Sequence, residues 1–175
     1  MTVGHKNSYG VQAIFFDDYA TCSATVFGNV FVRTGSTGVI KFFRGGESPI
    51  INNIFVDCPR PLETLGCDPD GPRKFMSSGL GHRRVREAVD ITSSPYREKY
   101  PELYDIYRGQ KTVGHPMTTN YVVTGDMSAF VDGPGLNFKL REDADVFQKM
   151  PDFKPIPFEK IGLYKDGYRK QAPSS

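Results

Sequence analysis

The chain has 175 residues, with 22 Lys+Arg against 20 Asp+Glu and a formal net charge of +2. That balance excludes the strongly basic surface of a nucleic-acid binder, and no run of about 18 apolar residues offers a membrane span. One ordinary domain, or a piece of a larger one, is expected; with 38% hydrophobic residues, 18 Gly and 13 Pro it suits a loop-rich β protein better than a helical bundle.

Residues 1–12 are polar, carry Gly4 and Gly10, and read as a loop. They lack a positive segment followed by an apolar one, so no signal peptide is expected in this chain. Residues 13–58 say one phrase twice. Gly28-Asn29-Val30-Phe31-Val32 returns as Asn52-Asn53-Ile54-Phe55-Val56, each copy preceded by an apolar run, 13–16 in the first and 39–43 in the second. Val, Ile and Phe suit short pleated strands, and a repeat in this range built from strands and Gly/Asn turns predicts a coiled β solenoid. The competing reading is two ordinary hairpins of a sandwich. In the solenoid, Asn29 and Asn53 at equivalent turns are expected to form a stacked amide ladder, since Asn tolerates the left-handed backbone of a sharp corner.

Residues 59–81 carry Pro59, Pro61, Pro69 and Pro72 with Gly66, Gly71, Gly79 and Gly81, and predict a long turn-rich excursion rather than a strand. Val85, Ala88 and Val89 have the spacing of a short amphipathic helix. Pro95 stands in the first turn of another, and Pro101 opens one more. The tyrosines Tyr96, Tyr100, Tyr104 and Tyr107 read as a cover over the solenoid, with sugar stacking the alternative. Residues 121–124, 130–132 and 137–140 are extended, and an acidic then Pro-rich segment wraps the end. A single domain is expected, with coils over 1–58, a loop and helical excursion over 59–118, and a last coil and wrap over 119–175.

Cys22, Cys58 and Cys67 form neither a complete disulfide framework nor a metal-ligand spacing, and no carboxylate cluster is dense enough for calcium. No metal and no cofactor is called for. Gly45-Gly46 lacks the Lys-Ser/Thr of a phosphate loop and reads as a close backbone approach.

Taken together, Tyr9-Gly10-Val11, Phe15-Phe16-Asp17-Asp18, Phe27-Gly28-Asn29-Val30-Phe31, Gly45-Gly46 and Asn52-Asn53-Ile54-Phe55-Val56-Asp57 resemble right-handed parallel β-helix proteins of the carbohydrate-active kind. Tyr100-Pro101-Glu102-Leu103 and residues 153–164 are similar to their helical excursion and C-terminal tail. The resemblance implies an all-β, right-handed parallel β-helix of few coils, the C-terminal portion of a longer protein whose relatives are secreted or periplasmic. It departs from the family at Tyr19, where Gly usually follows the paired aspartates, and at Arg44, where His is common. An uncapped solenoid end is expected to self-associate.

The same resemblance implies hydrolysis of glycosidic bonds in a polysaccharide or oligosaccharide, which needs two carboxyl groups. Asp17 and Asp18 stand at a strand end, where alternation sends one outward. Glu47, after the glycine pair, and Asp57, past the second strand, are the partner carboxylates. Arg33, Lys41, Arg44 and His82 are the expected substrate-binding residues. A polysaccharide lyase, in which cations neutralise a uronate, is the first alternative. A non-catalytic glycan-binding or structural chain is the second.

Overall fold

Apolar residues of high strand propensity form seven short strands between residues 14 and 65: β1 Ile14–Phe16, β2 Val26–Phe27, β3 Val30–Val32, β4 Ile40–Phe43, β5 Ile50–Ile51, β6 Ile54–Val56 and β7 Leu62–Leu65. Two more follow much later, β8 Met117–Thr118 and β9 Tyr121–Val123. The computed structural model describes residues 12–34, 37–161 and 167–168; most of the predicted N-terminal loop and residues 162–164 of the C-terminal wrap lie outside that range. Contacts divide the chain into two units, Met1–Asp126 and Met127–Ser175.

In the first unit all nine strands pair in parallel, in three sheets of order β1-β4-β7, β2-β5-β8 and β3-β6-β9. Ile14 faces Ile40 and Ile40 faces Leu62; Phe31 faces Phe55 and Phe55 faces Val122. The register brings like side chains together. Phe16 stacks on Phe42 with ring centroids 4.5 Å apart, and Phe31 on Phe55 at 5.0 Å. Ile40, Phe42, Ile50 and Phe55 are fully buried in one apolar cluster with Val26, Val39 and Cys58. Each large side chain withdrawn from water in this way stabilises the fold by about 1.5–3 kcal/mol.

The turns between strands are left-handed at equivalent places. Gly28, Asn52 and Thr119 all have φ between 55° and 69°, and each precedes a strand-opening Asn or equivalent corner. The expected amide ladder is present and has a third rung. Asn29 donates to Asn53 Oδ1 at 3.0 Å, and Asn53 donates to Asn120 Oδ1 at 2.9 Å. Gly45 is required by close approach, since a Cβ there would lie 2.0 Å from the Ala20 carbonyl oxygen.

Between β7 and β8 the chain turns helical. Here lie α1 Gly71–Met76, α2 Gly79–His82 running into a π-helical turn Arg83–Ala88, α3 Tyr96–Lys99 and α4 Pro101–Tyr107. Helices this short are not stable by propensity and depend on packing. Met76, Ile91, Ile106 and Val113 supply it as a second buried cluster, flanked by Phe75, Leu103 and Tyr107. Phe75 also stacks on Tyr19 at 4.6 Å, tying α1 to the turn after β1. Pro101 opens α4 as predicted, where its missing N–H costs nothing.

The second unit holds an antiparallel hairpin, β10 Phe130–Asp132 with β11 Asn137–Leu140, followed by α5 Val146–Lys149 and a 3-10 turn Phe158–Lys160. Phe130 meets Phe138 edge-on at 5.4 Å.

The expectation of an all-β right-handed parallel β-helix is therefore corrected. The chain is a mixed α/β structure with 23% helix and 23% strand, its strands in several short sheets, one of them antiparallel. No solenoid or closed barrel is detected among the described residues. The physical reason lies in the spacing. Asn29 and Asn53 are 24 positions apart, but the next step, Asn53 to Asn120, takes 67, because helices occupy the interval. Parallel pairing resumes beyond the insertion with β8 and β9, but the helices between give the chain as much helix as strand, which a repeat of one step does not show. The segment over 62–65, read as part of a turn-rich excursion, is instead a strand paired with β4.

Candidate functional site

Strand alternation builds a mixed row on the outer side of the first sheet. Ile40 and Phe42 of β4 point into the core, so Lys41 and Phe43 point out. Register then aligns Phe15 of β1, Lys41 of β4 and Glu63 of β7. Neighbouring strands lie about 4.8 Å apart, so an aromatic ring, a cation and a carboxylate stand side by side. Half of Phe15 is exposed. The Lys41 ammonium lies 5.9 Å from its ring centroid and 3.3 Å from Glu63 Oε2. Arg60 Nη1 lies 3.4 Å from the other Glu63 oxygen. Glu63 Oε2 is buried and receives no aligned hydrogen bond; Lys41 meets it as an ion pair rather than as a directed donor.

Arg44 continues this surface beyond the strand end. Its guanidinium packs 4.5 Å from the Phe43 ring and 5.8 Å from that of Tyr19, and reaches Asp18 Oδ1 at 3.7 Å. Asp18 is exposed and left-handed, with φ 36°. Asp17 is exposed, and its side chain has no hydrogen bond or ion pair among the described residues.

Glu47 sits elsewhere, between β4 and β5, with φ 52° and a side chain only 13% exposed. Its Oε1 accepts from the Gly114 amide at 2.6 Å and its Oε2 from Lys111 Nζ at 2.7 Å. That hydrogen bond raises the Lys111 pKa above its ordinary value. Asp57 follows β6, in a third place. Its Oδ1 accepts from the Gly125 amide at 2.8 Å, and its Oδ2 pairs with Arg33 at 3.4 Å. Both carboxylates thus brace turns of successive strands. His82 ends α2 in the helical layer, its Nδ1 buried without a hydrogen-bond partner. Of the residues singled out from sequence, the structure joins Asp18 to Arg44 and Asp57 to Arg33. It distributes the four carboxylates over three places, Asp17 and Asp18 after β1, Glu47 between β4 and β5, and Asp57 after β6.

Glu63 and Lys111 escaped the sequence reading, and His115 reads from sequence only as a surface or loop histidine. Glu63 lies in a strand within the stretch read as a turn-rich excursion, although its pair Leu62-Glu63 repeats the apolar–charged pair Ile40-Lys41 that it faces. Lys111 and His115 lie beyond the helices with no motif to mark them. His115 packs on Phe42 with centroids 4.9 Å apart. Burial holds its imidazole below the ordinary value, against the opposing charge of Glu47. Burial first, then Glu102 and Glu47, push the Cys22 thiol up to about 11, which favours its protonated form near neutrality. Among the described residues no three His, Cys, Asp or Glu lie together as metal ligands, and no helix is long and apolar enough to cross a membrane.

No known protein family, curated protein or solved structure matches the chain. The resemblance to carbohydrate-active β-helix proteins therefore stands corrected in family as well as in fold.

Proposed function

We propose that the chain binds polysaccharide non-catalytically through the outer row Phe15–Lys41–Glu63. The observation that carries this reading is the half-exposed Phe15 ring held in register beside an ammonium and a carboxylate. A sugar ring offers a C–H face to an aromatic ring; Phe15 supplies that ring, while the Lys41 and Glu63 side chains beside it, 18% and 20% exposed and paired with each other, form its charged border. Such exposed apolar surface among polar groups is where ligands dock. Hydrolysis needs two carboxyl groups at the substrate. Both oxygens of Glu47 and of Asp57 are engaged in turn contacts and Asp18 pairs with Arg44, so among these four the exposed Asp17 lacks an unengaged partner carboxylate, which favours binding.

Affinity electrophoresis through gels containing neutral or acidic polysaccharides tests this, together with reducing-end and ultraviolet assays on the same polymers. The proposal expects retardation by at least one polymer, with neither new reducing ends nor unsaturated products. No retardation in any gel, or turnover that Asp17→Asn/Asp18→Asn abolishes, would overturn it.

A further inference from the structure

The helical layer carries a second, separate aromatic hollow. Tyr96 of α3 and Tyr100, which links α3 to α4, lie with ring centroids 6.5 Å apart and planes 29° apart. Each is 38% exposed. Neither belongs to the buried cluster beneath, which Met76, Ile91, Ile106 and Val113 form with Leu103 and Tyr107 on its flanks. Covering the core therefore does not account for these two rings. Between them lies a hollow of about 240 Å³ lined by Pro95, Tyr96, Lys99 and Tyr100.

The lining is chemically asymmetric. Three residues present flat apolar rings, and the fourth brings a cation, its Nζ 5.7 Å from the Tyr100 ring centroid. The neighbouring cation Arg97 lies over Tyr104, 4.5 Å from that ring, and Lys99 is the cation among the lining residues. The volume falls below the range of about 300–1,000 Å³ that encloses a drug-sized ligand, so the site accepts one ring at a time.

We infer that this hollow is a subsite for a single anionic sugar residue, such as a uronate, stacked on Tyr96 and Tyr100 with its carboxylate on Lys99. The inference rests on the carbohydrate reading for its class of ligand, but on none of the residues of the outer sheet row. Aromatic rings grip the sugar face whatever its charge. Lys99 supplies the preference for acidic sugars, as a positive group beside a stacking platform does.

The test is a titration of the isotopically labelled full chain with alginate trimer, maltotriose or poly-L-glutamate, followed through backbone amide resonances. Saturable shifts at Tyr96, Lys99 and Tyr100 with alginate trimer are expected. Lys99→Gln should weaken them roughly fivefold, the scale of one exposed charged contact. Tyr96→Leu/Tyr100→Leu, chosen to keep apolar bulk in the helices, should abolish them, and Phe15→Ala should leave them unchanged. Shifts confined to Phe15, Lys41 and Glu63 would overturn this subsite and leave the sheet-face proposal standing. Shifts at neither place would overturn this subsite, while the sheet-face proposal is decided by retardation in the gels. Equal shifts with maltotriose, or with poly-L-glutamate, would overturn the anionic-sugar assignment.

Discussion

The carboxamide of Asn53 holds Asn29 on one side, accepting on a single Oδ1 both the backbone amide and the side-chain N–H of Asn29, each at 3.0 Å. On its other face Asn53 repeats the arrangement with Asn120, and its Nδ2 also donates to the carbonyls of Val26 and Ile51. Fully buried, this one side chain joins three levels of the parallel sheets.

Asn53→Ala strips a partner from the Asn29 amide, from the Val26 and Ile51 carbonyls and from Asn120 Oδ1 at once. Each unsatisfied buried group costs about 1–3 kcal/mol, so a loss of roughly 3 kcal/mol in urea unfolding is expected, with an unchanged m-value. Asn29→Ala, at the exposed end of the ladder, should cost about 1 kcal/mol. Equal costs at the two positions would contradict the ladder account.

Glu47 fastens the segment 111–114 to the turn between β4 and β5 through Lys111 and the Gly114 amide. Glu47→Ala should cost about 2 kcal/mol, as expected when a mostly buried charged acceptor is removed. Hydrogen exchange at Gly114 should accelerate more than at Gly125, which Asp57 holds independently. Uniform acceleration across both would show that Glu47 acts only on global stability.

His115 predicts an acid-side loss of stability. Its folded pKa lies below the ordinary 6.5 because burial disfavours the imidazolium. The unfolded chain then binds the proton more readily, so this contribution is fully present above about pH 6.5 and declines as pH falls through the folded value. Thermal midpoints measured between pH 7.5 and 5 should fall less steeply in His115→Phe than in the parent chain. Parallel slopes would rule His115 out as a source.

Gly45→Ala places a methyl group against the Ala20 carbonyl oxygen, which would lie 2.0 Å away. Backbone must move to admit it, and a cost of about 2 kcal/mol or more is expected from such overpacking. Gly28→Ala, where the new Cβ meets open space but φ is 69°, should cost less, about 1 kcal/mol for the left-handed backbone. Thermal unfolding of the two variants side by side separates contact from conformation.

Much of the sheet framework was legible because its signals are local. The runs at 14–16, 40–43 and 54–56 are dense in Ile, Phe and Val, and the doubled Asn-x-Phe-Val phrase placed Asn29 and Asn53 at equivalent turns. Strand β7 was hidden because Pro59, Pro61 and Gly66 surround it, and those residues read as turns; its pairing with β4 supplies what its own sequence lacks. Helices α1 and α2 were hidden for the opposite reason. Their segment is rich in Gly and Pro, and they are held by Met76 and Phe75 packing onto distant residues. The inference of an all-β solenoid carried a one-step repeat past the point where helices interrupt it. At the site, Asp17 and Asp18 follow the end of β1, but both are exposed where alternation predicts one inward. The bracing contacts of Glu47 and Asp57 involve Gly114 and Gly125, 67 and 68 positions away, which no local pattern encodes.

The most direct test of polysaccharide binding through the sheet face is a comparison of the parent chain with Phe15→Ala in affinity electrophoresis against the polymer that retards the parent most. Phe15 is half exposed, so its removal should leave the circular dichroism spectrum and unfolding midpoint nearly unchanged. Retardation should weaken roughly fivefold, the effect of losing about 1 kcal/mol of aromatic contact. Retardation identical to the parent, with the fold intact, would contradict the assignment of this row as the binding surface.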